Sequence, residues 1–216
     1  MSIKTILAVG VVALVAIGGF FVLMDHGDSG TSVDTEGAFV TGMVPHHESA
    51  IEMARIAEKK AEHPEIRTLA GNIVAAQTEE IMMLNSIHQR LYGEPVGSMD
   101  HGSMGLNDEM MGMSMDPMTL KDAKPFDREF IDMMVAHHQG AIRMAQIQVA
   151  DGEDGQTTSL AERIIVDQTS EINQMNEWRT KWYGSPSPAG GIPDADETMG
   201  QIDHGSDSGD MHGMEH

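Results

Sequence analysis

Two stretches of this chain pair histidines with methionines at the same intervals: MVPHHESAIEMA at 43–54 and MVAHHQGAIRMA at 134–145, 91 residues apart. Each sets one methionine three residues before a histidine pair and another six residues after it. Thioether sulfur is a soft, neutral donor that suits Cu(I) and Ag(I), and imidazole also accepts Cu(II), Zn(II) and Ni(II). An apolar core gains nothing from paired imidazoles on a buried seam, because each ring nitrogen left without a partner costs about 1–3 kcal/mol. The candidate metal ligands are therefore Met43, His46, His47, Met53, Met134, His137, His138 and Met144. Met53 and Met144 taken singly also read as core filler. The recurrence of the histidine pair in both halves is what favours ligation.

Such donors must be held by helices. At about 100° per residue, His46 lies within roughly 60° of Met43 and His47 about 40° to its other side. One copy offers a strip of ligands, and the strip on the second copy can face it across a pseudo-twofold axis. The duplication extends well past the motif. Residues 39–93 align without a gap to 130–184 with 21 identities in 55 positions, among them Phe39/Phe130, Gln77/Gln168, Asn85/Asn176 and the closing Tyr-Gly of each half.

Three- and four-residue apolar spacing predicts a helix from Glu36 to about Ala61, capped by Thr35 or Asp34, then a second from Pro64 to the Tyr92-Gly93 stop. The second half repeats this, with a helix over Phe126–Ala150 and another from about Ser159 to Tyr183, where Ser159 and Glu162 read as a capping box. Two antiparallel αα-hairpins, each apolar on one side, bury those sides against each other as an all-α four-helix bundle. The predicted organisation is a signal anchor or signal peptide at 1–24, a polar linker at 25–35, a bundle at 36–184 and a tail at 185–216. Within the bundle, the repeats are 36–93 and 126–184. The joining segment 94–125 and the tail are rich in Gly, Asp, Met and His and are expected to be disordered, with weak metal capture as an added role.

Composition narrows the function classes. Net charge is −21, from 34 acidic and 13 basic residues, so nucleic acid is a poor partner and cations are good ones. The chain has no cysteine, which excludes disulfides, thiolate metal sites and cysteine nucleophiles. Methionine, at 20 residues, is abundant. After Lys4, the run Thr5–Met24 carries no charge and is succeeded by Asp25 and Asp28. Its length as a helix, about 30 Å, matches a bilayer core, and its flanks favour export of the chain beyond it. An uncleaved anchor at 5–24 is the first reading and a cleaved signal peptide the second; both place the rest outside the cytoplasm.

Diiron and dimanganese bundles carry Glu-x-x-His on their helices. Here the residue three before each histidine pair is methionine, and Glu48 becomes Gln139 in the second copy. Glu80 and Glu171 occupy equivalent positions and read as solvated face, while His63 and His88 have no histidine counterpart and read as surface. No nucleophile with a base partner and no phosphate loop emerges, so the expectation is a binding protein and not an enzyme. Its cargo would be Cu(I), with Ag(I) or Cu(II) also accommodated, and its acceptor an efflux pump or other copper acceptor. Two readings of other classes fit the same residues: a metal-dependent oxidase acting on Cu(I) or dioxygen, and an acidic surface interaction module whose histidines are incidental.

The FxxxMxxHHxxAixMA helix, with Phe39, Met43, His46, His47, Ala50, Ile51, Met53 and Ala54, resembles the family catalogued as domain of unknown function 305. The second copy departs at Ala136, where the first has Pro45. The resemblance implies a ferritin-like four-helix bundle and an extracytoplasmic location. It also implies copper binding through the quoted methionines and histidines, and a part in copper resistance.

Overall fold

The computed structural model describes residues 34–97 and 104–202. The expected anchor at 5–24, the polar linker up to residue 33, Met99 and His101, and the last fourteen residues lie outside the described residues. Among the described residues the regular elements are all helical: α1 (Thr35–Lys60), α2 (Pro64–Tyr92), α3 (Phe126–Asp151), α4 (Gly155–Tyr183) and a short α5 (Ala195–Gln201), with a 3-10 turn at Pro117–Asp122. None of the described helices is long and apolar enough to cross a membrane.

The helices begin where local chemistry starts them. Asp34 caps α1 by accepting from the Gly37 N–H, and proline occupies the first turn of α2. Both α2 and α4 end on a left-handed glycine, Gly93 and Gly184. The start of α4 corrects the sequence reading by four residues. Asp154, not Ser159, is the cap, because its carboxylate accepts from both the Thr157 N–H and hydroxyl and is held by Arg90 at 2.7 Å. The Arg90 and Thr157 hydrogen bonds hold the Asp154 carboxyl well below the usual carboxylate range.

Helices α1–α4 pack as two hairpins, α1 on α2 and α3 on α4, joined through α1 against α3. Phe39, Met43 and Val44 share an apolar cluster with Ala141, Met144 and Ile147, while Ala54 and Ala57 share another with Phe130 and Met134. The N-terminal half of α1 thus meets the C-terminal half of α3, and the two run antiparallel. The same sorting puts Leu69 and Ile73 of α2 with Ile172 and Met175 of α4, and Leu84 and Ile87 with Leu160 and Ile164. The result is a core in two lobes.

Matching clasps close the two ends. Asp127, buried in the first turn of α3, accepts the Glu62 and His63 N–H groups at 2.9 and 2.8 Å and contacts His63 Nδ1 at 2.6 Å. Glu36, its equivalent in the first half, accepts the Glu153 and Asp154 N–H groups in the same way. Burial alone would raise the Glu36 carboxyl, but these N–H donors together lower it. Each hairpin turn is tied to the first helix of the other hairpin, so its backbone donors are satisfied.

The described parts of the segments expected to be disordered are docked on the bundle. Met104, Leu106 and Leu120 are buried in the core lobes, and Met110 and Met111 pack against one of them. Beyond α4, Gln139 donates to the carbonyls of Ala189 and Gly191, the Ser187 N–H donates to the Asn176 side chain, and the Thr198 hydroxyl of α5 donates to Gln146. Methionine, leucine and isoleucine scattered among glycines supply enough apolar area to dock these stretches, which an average over composition hides.

Candidate metal centre

Between the two lobes lies a buried polar layer. His46 and His47 from α1 and His137 and His138 from α3 are each at most 1% exposed. Because α1 and α3 run antiparallel, the first histidine of each pair meets its counterpart at the crossing. The rings of His46 and His137 are 3.7 Å apart at their centroids. The second histidine of each pair, about 100° further round its helix, points to the flanking helices. His47 Nε2 lies 2.8 Å from Glu80 Oε2 on α2, without hydrogen-bond alignment, and His138 Nε2 lies 2.6 Å from Glu171 Oε2 on α4. Gln77 and Gln168, one turn before those glutamates, complete the layer at 3% exposure each.

Nitrogens in this layer are left open. Nε2 of His46 donates to the Met111 carbonyl at 2.9 Å, since a carbonyl only accepts, and a carboxylate imposes the same polarity on His138. The Nδ1 atoms of all four histidines are buried and have no hydrogen-bond partner. Where a metal-binding histidine has one nitrogen fixed by a carbonyl or carboxylate, the other presents its lone pair. Burial first, then the neighbouring His47 charge, pushes the His46 imidazole down to about 3, and burial with His46 and His138 lowers His137 well below its ordinary value. Both rings are therefore neutral at physiological pH, the form that binds metal.

The four sequence-identified methionines are fully or almost fully buried, but they do not gather at one point. Met43 and Met144 lie in the lobe on one side of the histidines, and Met53 and Met134 in the lobe on the other. Antiparallel crossing explains the split: the methionine before one histidine pair shares a lobe with the methionine after the other. Among the described residues no three histidine or acidic side chains form a ready-made metal cluster. A groove of about 730 Å³ along α1, lined by residues including Glu48, Arg55, Met118 and Lys121, contains none of the eight.

Two sequence readings need correction. Glu80 is 8% exposed and faces His47, so it belongs to the site and not to a solvated face; Glu171 does the same for His138. The signal was present in the repeat, where Gln-x-x-Glu recurs at 77–80 and 168–171. His63 is not a free surface group either, since it stacks on Trp182 at 3.7 Å and contacts Asp127. His88 contacts the Glu94 carbonyl through Nδ1 at 2.7 Å.

The sequence pattern of the family described as Domain of unknown function (DUF305) matches residues 36–179 and, in a second match, 127–216. The chain belongs to the DUF305 family. Among solved structures it is similar to CopM in the Cu(I)-bound form, with 38% identity, 69% of this chain and 98% of CopM covered, and a TM-score of 0.61. The Cu(II)-bound form of CopM gives 39% identity, coverage of 68% and 97%, and a TM-score of 0.61. A putative secreted DUF305 protein from Streptomyces coelicolor is 27% identical, with coverage of 72% and 98% and a TM-score of 0.64. Uncharacterized protein L153 of Acanthamoeba polyphaga mimivirus is 39% identical over 49 residues, 23% of this chain and 32% of its own length. This chain thus spans about a third of that viral relative.

Proposed function

We propose that this DUF305 protein is an exported copper-binding protein that sequesters or hands on Cu(I), with Ag(I) and Cu(II) as further cargo, and that it carries the ion without catalysing a reaction. The observation that carries this reading is the layer of four buried histidines, every one with an unpartnered Nδ1, set between two methionine pairs. An ion held by these nitrogens would take its remaining donors from sulfur, which selects soft monovalent cations. Glu80 and Glu171, contacting the second histidine of each pair, would also let the layer tolerate Cu(II). CopM in its Cu(I)-, Ag- and Cu(II)-bound forms supports the choice of metal, and the secreted Streptomyces relative supports an extracytoplasmic location. A role in copper resistance, and an efflux pump as acceptor, belong to the same reading.

The test is titration of Cu(I) under reducing conditions against a chromogenic chelator. Native protein should compete for the ion. Replacing His46, His47, His137 and His138 by alanine should abolish that competition, and changing Met43, Met53, Met134 and Met144 to leucine should weaken it at nearly constant core volume. Undiminished affinity in the folded leucine variant would remove sulfur from the site.

A further inference from the structure

One side of the histidine layer is covered by a piece of the inter-hairpin segment, residues 107–113. It is a compact turn: the N–H groups of Met111, Gly112 and Met113 bond the carbonyls of Asn107, Glu109 and Asp108, and the Asn107 side chain accepts from the Met110 N–H. Three attachments hold it to the bundle. Arg143 donates to the Met110 carbonyl and His46 to the Met111 carbonyl, each at 2.9 Å. The third is a close approach of two backbones, made at a glycine on each side. A Cβ at Gly140 of α3 would collide with the Met111 carbonyl, and one at Gly112 would collide with the backbone of Ala136 and His137. Position 49, the equivalent of Gly140 in the first half, is serine, so only α3 offers the flat surface on which this strap can lie.

The inter-hairpin segment also changes the donor inventory. Met104 is buried in the same lobe as Met43 and Met144, and Met110 and Met111 pack against that lobe. The lobe holding Met53 and Met134 receives no methionine from the strap. Met110 and Met111 are part-exposed, whereas the additional methionines of the other lobe, Met133 and Met175, are buried on α3 and α4, so the thioethers reachable from the surface lie on the strap side.

We infer that the 107–113 strap is the loading gate of the histidine layer: thioethers of Met110 and Met111 take up a soft monovalent cation at the surface, and the ion passes to the histidines as the strap lifts from Gly140. Reclosure restores the His46 to Met111 hydrogen bond and leaves the His46 Nδ1 lone pair toward the ion. This rests on the proposed soft-metal function and adds the route.

Stopped-flow uptake of Ag(I) by the full chain, with hydrogen exchange at the Met111 and Met113 amides, tests it. Gly140→Ala, which also favours the helix itself, should loosen the strap amides and speed uptake about fivefold, the factor that one lost hydrogen bond carries. The volume-conserving pair Met110→Leu and Met111→Leu should slow uptake by about the same factor while leaving the strap amides protected. Met82→Leu, which removes an exposed thioether of α2 that belongs to neither the strap nor the histidine layer, should leave the uptake rate unchanged. If strap amides open in Gly140→Ala and uptake does not quicken, or if the leucine pair loads at the native rate, the gate is wrong while the final silver stoichiometry still upholds the binding function. Native protein that takes up no silver would overturn both.

Discussion

Acidifying the metal-free protein should destabilise it well before most of its carboxylates titrate, because His46 and His137 are buried uncharged. His46 stays unprotonated in the folded chain down to about 3, whereas in the unfolded chain it takes up a proton near its ordinary value of about 6.5. The folded value lies below the unfolded one, so the stability is fully present above about pH 6.5 and is lost as pH falls toward the folded value, the unfolded state holding the extra proton throughout that window. Each such proton is worth about 1.4 kcal/mol per pH unit. His137, lowered by burial and by the same neighbours, adds a second. For His46 this amounts to roughly 1.5–2 kcal/mol between about pH 6.5 and about pH 5, to which His137 adds in the same direction, an appreciable part of the roughly 5–15 kcal/mol that holds a typical domain. Urea unfolding of metal-free protein across that interval measures it, with His46→Gln/His137→Gln as the reference. A native slope no steeper than that of the double variant would refute the claim that these rings are kept neutral by the fold.

Two further outcomes are expected from the same contacts. Glu171→Gln should weaken equilibrium copper binding by about tenfold or more, the usual cost of removing the acceptor that orients a ligating histidine; competition with a Cu(I) chelator reads it, and unchanged affinity would make this glutamate a bystander. Asp127→Ala leaves the N–H groups of Glu62 and His63 without their acceptor and should cost about 2–4 kcal/mol in urea unfolding with metal affinity retained, since the clasp sits at the end of the bundle. A loss below about 1 kcal/mol would mean that water replaces the clasp.

Much of the architecture is legible in the chain because helices are written locally. The 3.6-residue apolar period, Pro64, the Tyr-Gly stops and the 91-residue offset place four helices within a few residues. The miss at α4 has a local cause: Asp154 and Ser159 are both good caps, and the choice falls to Asp154 because Arg90 from the other hairpin steadies it. Glu80 and Glu171 went unread for a related reason. A glutamate on an amphipathic helix is usually solvated, and only the position of α1 and α3 turns these two inward.

By itself the sequence determined which donors exist, that they come twice, and that each set rides on one face of a helix, since residue type and helical period need no partner to be read. The tertiary structure decided which donors meet. Antiparallel crossing of α1 on α3 brings the His46 and His137 rings together, sends His47 and His138 to separate glutamates, and deals the methionines into two lobes. It also lays the 107–113 strap on Gly140, a contact between segments far apart in the chain that no local pattern encodes, because it depends on the absence of a Cβ on each side, at Gly112 and Gly140, where two backbones touch.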